Sequence, residues 1–397
     1  MANINNRMME LGKVRSVIRE TFEYGNKRAK EIGRENVYDF SLGNPSVPTP
    51  EIVDKEMVNL INDNTVAVHG YTSAQGAEPT RIAIAQDINR RFSAGVTKDD
   101  IYMTCGAAAS LTISISALCN KGDEIIAIAP FFPEYRVFVE SAGAKLVVVP
   151  ADTENFQINF KELSRLITPK TKGIIINTPN NPTGVVFSEN TINRLCDILR
   201  EKSKEFGNPV YLITDEPYRE LVYDTDAKVP YLINCYDHTL VCYSYSKSLS
   251  LPGDRIGYIV VSNKMPEHED IYAAVCGAGR ALGFVCAPSI MQRAILPALG
   301  KTSDLSVYKK NRDLLYESLT KMGYTCVHPD GAFYLFVKSP VPDASEFCLK
   351  AREYDILLVP SDSFGCTGYV RIAYCVTTEM IQRSLPAFEK LAESYGL

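Results

Sequence analysis

Seven short apolar runs, separated by helix-forming or turn-forming stretches, constrain this chain more than any other feature. They are IYMTC (101–105), EIIAIA (124–129), KLVVVP (145–150), KGIIIN (172–177), VYLITD (210–215), TLVCYSYS (239–246) and RIGYIVV (255–261). Each is rich in β-branched residues, and none shows the strict polar alternation of a strand with one wet face. Runs of this kind belong to strands buried on both sides. The intervening segments GAAASLTISISALC (106–119), FFPEYRVFVESAG (131–143) and about 188–204 read as helices. The pattern predicts an α/β fold, a mostly parallel sheet of the seven-stranded type with helices on both faces. After about residue 285 the texture changes. A helix over 288–322 with a break near Gly300, apolar runs at 332–337, 356–360 and 369–375, and a terminal helix over 377–394 predict a smaller α+β domain. Ahead of the sheet, Leu11, Val14, Ile18, Phe22 and Ala29 mark one face of an amphipathic helix over 11–32. The expected division is therefore 1–48 as an N-terminal arm and segment packing with the small domain, 49–287 as a large domain, and 288–397 as a small C-terminal domain.

Composition narrows the function by exclusion. A net charge of −5 gives no electrostatic footprint for nucleic acid. No apolar run approaches the roughly 18–20 residues that span a bilayer, and the N-terminus MANINNRMMELGKVRSVIRE mixes acids and bases, unlike a secretory signal. Eleven cysteines are scattered singly, without CxxC pairs or zinc spacing. Reduced thiols in a cytoplasmic protein, and no metal site, are expected. His69, His238, His268 and His328 are isolated, which leaves a hydrolytic triad without support.

Chemistry is expected at the carboxyl ends of the strands, where open α/β sheets bind ligands. CGAAAS (105–110) puts Gly106 at a tight turn before a helix whose first amides are free to hold phosphate. TPNNPTG (178–184) is a rigid loop that can aim the Asn181 amide. DEPYREL puts Asp215 at the end of an apolar strand, where a partly buried carboxylate needs a cationic partner, with Tyr218 three residues on. SYSK places Lys247 beside Ser244 and Ser246, and Arg255 follows in the next run. Taken singly, these are equally a packed helix start, a plain turn, an N-cap and a solvated lysine. Four strand ends in succession offer a phosphate cradle, a hydrogen-bonding amide, a buried acid and an amine among hydroxyls. A ligand with a phosphate, a cationic aromatic nitrogen and an aldehyde satisfies all four, and pyridoxal 5′-phosphate is such a ligand.

NNPTG, DEPY and SYSKSLSLPGDRIGY, in this order and spacing, resemble the fold-type I, class I/II aminotransferases, the aspartate aminotransferase family. The resemblance runs from GNP (43–45) to RIAYC (371–375). It implies that Lys247 joins the cofactor's aldehyde and later moves the substrate's proton. It also implies that Asp215 keeps the ring nitrogen protonated, and that Tyr218 and Asn181 hydrogen-bond the ring oxygen. The phosphate would be held by the amides after Gly106, at Ala107 and Ala108, by Ser244 and Ser246, and by Arg255. The family often has a hydroxyl residue near 107–108, where this chain has two alanines, so more of the grip falls to the serines and Arg255. Phe132 stands where the family stacks an aromatic on the ring. Tyr71 matches the tyrosine that reaches the phosphate of the other subunit, which implies a homodimer with shared active sites. Arg371 matches the arginine that clamps the substrate α-carboxylate, and Gly43 the glycine that closes over the substrate.

The resemblance implies transfer of an α-amino group from an L-amino acid to a 2-oxo acid such as 2-oxoglutarate, by ping-pong kinetics. Arg280 can be aligned near the arginine that dicarboxylate enzymes of the family borrow from the partner, and is equally a surface arginine. If it reaches in, aspartate or glutamate is the expected donor. Otherwise an aromatic or neutral amino acid is, and a carbon–sulfur β-lyase on the same scaffold stays open.

Overall fold

The computed structural model describes residues 4–13, 16–63, 65–224 and 228–397. Its strands, in chain order, are β1 (Tyr38–Asp39), β2 (Ile101–Thr104), β3 (Glu124–Ile128), β4 (Lys145–Val149), β5 (Thr171–Asn177), β6 (Tyr211–Asp215), β7 (Thr239–Ser244), β8 (Gly257–Val261), β9 (Cys326–Val327), β10 (Tyr334–Lys338), β11 (Ile356–Leu357), β12 (Val359–Pro360) and β13 (Tyr369–Ala373). The chain forms two compact units. One comprises Pro45–Ser306 with Asp330–Ala332; the other comprises Met1–Asn44, Val307–Pro329 and Phe333–Leu397.

The first unit is built on a seven-stranded sheet of order β2-β8-β7-β6-β5-β3-β4. All neighbours pair in parallel except β8, which runs antiparallel to both β2 and β7. Both faces are covered, and β5 shows how. Ile174 and Ile176 enter one core with Leu195 and Leu199 of the helix Glu189–Phe206. Ile175 enters the other with Leu111 and Ile115 of the helix Ala107–Leu118. Two apolar faces leave no position for a polar alternate, hence the unbroken run KGIIIN. The reversal of β8 has a positional consequence. The parallel strands end at one edge of the sheet, and β8 begins at that edge, with Gly257 opposite both Ser244 and Thr104. Arg255, two residues before β8, therefore arrives where the other strands leave.

The second unit carries the antiparallel sheet β12-β13-β10-β9 and the parallel pair β1-β11. The helix expected over 11–32 is two helices, Asn6–Lys13 and Val17–Ile32. Ser16 separates them, since its side chain accepts from the Arg19 amide and caps the second. Val14 lies outside the described residues. The segment 288–322 likewise breaks into Ser289–Ala294, a short turn at Leu296–Ala298, and Ser306–Lys321. Pro297 and Gly300, the latter at φ 73°, interrupt it. Among the described residues no helix is long and apolar enough to cross a membrane.

Candidate active site

Register alone brings the strand ends that carry Asp215 and Ser244 together. Asn177 pairs with Asp215, Asp215 with Cys242, and Ser244 with Gly257, so four strand termini lie side by side. At the β2 end, Gly106 caps the helix Ala107–Leu118 with φ 89°, a conformation that suits glycine. A Cβ at Gly106 would lie 2.8 Å from Nη2 of Arg255, and one at Gly257 would lie 3.0 Å from Cα of Gly106. Two glycines thus let the arginine and the helix start meet. Ser110 fixes that start, sharing a 2.7 Å hydrogen bond with Thr104 and approaching the Gly106 and Tyr258 carbonyls at 3.3 Å. The helix leads with the amides of half-buried Ala107 and exposed Ala108. Arg255 is exposed, has φ 55°, and donates to the Pro252 carbonyl at 2.9 Å. Ser244 and Ser246 share a hydrogen bond of 2.7 Å. Lys247 is half-buried in the turn Tyr245–Ser248. Cations, hydroxyls and helix amides at one edge form a donor set suited to a phosphate dianion.

Asp215 is buried at the end of β6, where the resemblance sets the cofactor's ring nitrogen as its cationic partner. Its Oδ2 accepts from the Tyr135 hydroxyl at 2.6 Å, while Oδ1 is buried without a hydrogen-bond partner among the described residues. Burial pushes the carboxyl up to about 7; the Tyr135 bond pulls it down, and Glu216 adds to the rise. An orphaned buried carboxylate oxygen is costly, and a protonated ring nitrogen would satisfy it. On this observation the site fits pyridoxal 5′-phosphate.

The loops beside Asp215 are held rigidly. Asn177 donates through Nδ2 to the Asp215 carbonyl at 2.8 Å and accepts through Oδ1 from the Asn181 amide at 2.7 Å. Asn180 accepts from the Thr183 amide and hydroxyl at 3.1 and 2.8 Å. Tyr218 is buried in a turn fastened by the buried Glu216–Arg219 ion pair. Arg219 in turn donates to the carbonyls of Val229 and Pro230, both at 3.2 Å. Phe132 is half-buried, edge-on to Tyr135 with centroids 5.8 Å apart. Sequence reasoning missed Tyr135 and Asn177. Both had a signal: Asn177 ends an apolar strand just as Asp215 does, and Tyr135 follows Phe132 at helical spacing.

Tyr71 and Arg280 behave differently. Tyr71 is 89% exposed and Arg280 is exposed near the end of the helix His268–Ala281. Among the described residues no hydrogen bond or ion pair fastens either to the strand-end cluster.

The second unit holds Gly43 and Arg371. Arg371, on β13, is 2% exposed. Its Nη2 donates to the Ser41 carbonyl at 2.6 Å, and its guanidinium lies 4.6 Å from the Tyr334 ring centroid and 5.2 Å from that of Phe364. A Cβ at Gly43 would lie 2.1 Å from the Tyr334 hydroxyl, so only glycine fits against that ring.

The doubly covered, mostly parallel sheet and the strand-end donor set define a cofactor-dependent enzyme of the pyridoxal-phosphate class. Residues 35–388 match the family model for aminotransferase class I and II. The chain belongs to that family, whose members are transferases of amino groups that use pyridoxal 5′-phosphate. It is 31% identical to an aspartate aminotransferase of Thermotoga maritima over 95% of this chain and 97% of that protein. A crystal structure of an amino transferase from Eubacterium rectale is 57% identical and superposes with a TM-score of 0.97 over 100% of both chains. An aspartate aminotransferase from Thermus thermophilus, solved with maleate, is 26% identical with a TM-score of 0.85, covering 98% of this chain and 100% of that one.

Proposed function

We propose that this aminotransferase takes its amino group from aspartate or glutamate and delivers it to a 2-oxo acid such as 2-oxoglutarate, with ping-pong kinetics. The observation that carries the mechanism is the buried Asp215 with one unpartnered oxygen at the end of β6. When bound, the cofactor supplies an electron sink for the pair left on the donor's α-carbon. This chain's residues then have distinct tasks. Asp215, ionised, would hold the ring nitrogen's proton in place. Tyr218 and Asn181 would donate to the ring oxygen, and Phe132 would cover the ring. The Ala107 and Ala108 amides, Ser244, Ser246 and Arg255 hold the phosphate. The Lys247 amine would hold the cofactor's aldehyde until the donor's amine displaces it and, once freed, would take the proton from the donor's α-carbon and deliver it to the former aldehyde carbon. Arg371 binds the α-carboxylate in bidentate fashion, and Gly43 leaves room for the substrate to be covered.

The dicarboxylate preference rests on the aspartate aminotransferases among the relatives and on Arg280, an exposed cation that a second subunit's site could use. The proposed assembly is a homodimer in which Tyr71 reaches the partner's phosphate site. Eleven free cysteines suit a reducing cytoplasm. The domain reading 1–48, 49–287 and 288–397 is retained as a proposal for the parts that move on substrate binding. A panel of amino acids with 2-oxoglutarate, run on wild type and Arg280→Ala, tests the substrate. Aspartate and glutamate should lead, and Arg280→Ala should raise KM for them but not for aromatic donors. A lead by aromatic or neutral donors would sink the substrate reading. Full activity in Lys247→Ala would sink the mechanism.

A further inference from the structure

Arg371 does not hold its own position, and the second unit shows what holds it. Its bond to the Ser41 carbonyl is one of three made by that serine. The Ser41 amide and hydroxyl both donate to Oδ1 of Asp39, at 3.0 and 2.6 Å. Ser41 is fully buried and Asp39 nearly so. The residue between them is pinned by backbone: the Phe40 amide donates to the Leu357 carbonyl at 3.1 Å, and its carbonyl accepts from the Ala373 amide at 2.9 Å. Ala373 is on β13, two residues after Arg371. The segment 39–41 is thus clamped between β11 and β13, with the carboxylate at one end and the guanidinium at the other.

Asp39 is expensive to keep there. Its Oδ2 is buried with no hydrogen-bond partner among the described residues. The nearest cation, Nη2 of the exposed Arg34, is 3.9 Å away. A Cβ at Gly25 would lie 2.9 Å from that oxygen, so the helix Val17–Ile32 seals the site from behind. Burial raises the carboxyl's pKa; the two Ser41 bonds and Arg34 lower it again. Hydrogen bonds to an ionised acceptor are about twice as strong as neutral ones, which makes a carboxylate the stiffest available anchor for Ser41.

We propose that Asp39 is a positioning residue for Arg371: through Ser41 it fixes the carbonyl that orients the guanidinium for the substrate carboxylate. The proposal rests on the reading of Arg371 as the α-carboxylate clamp. Asp39 touches neither substrate nor cofactor, so its loss acts on carboxylate binding and leaves the chemistry at Lys247 alone.

The test compares Asp39→Asn, Asp39→Ala and Arg371→Lys in the holoenzyme. It measures KM and kcat for donor and acceptor, the Kd of maleate as a non-reacting dicarboxylate by calorimetry, and the melting temperature. Asp39→Ala should raise both KM values and the maleate Kd about tenfold, with kcat within about twofold, as expected for losing charge-assisted bonds. Asp39→Asn should give about threefold, because the neutral amide oxygen can still accept from Ser41. Should Asp39→Ala fail to fold, the Asn variant carries the test. A melting temperature that falls while KM and Kd hold would overturn the proposal and leave Asp39 a structural cap. Unchanged carboxylate binding in Arg371→Lys would overturn the clamp reading, and the proposal with it.

Discussion

Asp215 is a carboxylate folded into a place that suits its protonated form until the ligand arrives. Burial pushes it up to about 7 in the chain alone, whereas an unfolded chain ionises it near pH 4. Between those values the folded state binds the extra proton, so its stability falls as pH rises, and above about 7 the penalty is constant. The apoenzyme should therefore melt at lower temperature at pH 8 than at pH 5.5. Asp215→Asn should flatten that slope, and so should cofactor binding, which sets a protonated nitrogen against the carboxylate. Parallel melting curves for wild-type and Asp215→Asn apoenzyme would contradict this. Tyr135 works in the opposite sense, since its hydrogen bond lowers the carboxyl's pKa. Tyr135→Phe should cost the apoenzyme about 1–2 kcal/mol and weaken cofactor binding. Denaturant titration and quenching of protein fluorescence by the cofactor would measure the two effects. The sequence exposed Asp215 because an acid ends an apolar strand. Tyr135 was marked only by its helical spacing from Phe132, a weak signal because a tyrosine near a helix start is compatible with surface or core.

The proposed phosphate end of the site is where three elements meet: the end of β2 with the helix after it, the end of β7, and the beginning of β8. Only part of this was legible. Apolar runs reveal strands, and the polar residues that terminate them reveal where ligands bind, because each interrupts a pattern set by two-sided burial. Direction is not written in such a run. A strand covered on both faces reads the same parallel or antiparallel, so the reversal of β8 that brings Arg255 to Ser244 had no signal. The interruptions at Ser16 and at 295–305 were hidden for a related reason, since apolar periodicity continues across a capped break. The meeting point itself is testable at Gly106, where φ is 89° and an added Cβ would stand 2.8 Å from Arg255. Gly106→Ala should cost about 1 kcal/mol in backbone strain and displace the arginine. The cofactor Kd should rise at least about tenfold, since a charge-assisted phosphate contact is worth more than 1.4 kcal/mol. An unchanged Kd would mean that Arg255 does not hold the phosphate.

At the scale of the whole molecule, the single chain leaves large apolar side chains in water. Val66 and Tyr71 are both 89% exposed and Val285 is 64% exposed. Exposed apolar side chains suit an interface, and the proposed homodimer supplies one, in which Tyr71 would reach the phosphate site of another copy. In the proposed symmetric dimer each tyrosine would stand against its partner's Lys247 site, giving two equivalent shared sites. That arrangement makes a prediction no monomer can satisfy. Lys247→Ala and Tyr71→Ala homodimers should both be impaired, the first completely. In a heterodimer of the two, one site carries both lesions and the other carries neither. Random re-pairing of equal amounts makes about half the dimers mixed, so about a quarter of all sites become wild type. Activity should therefore rise to about a quarter of the wild-type value after unfolding and refolding the mixture, and not after simple mixing if exchange is slow. Recovery no greater than the average of the two parents would show that each chain supplies its own tyrosine. It would also leave the exposed apolar residues to some other contact.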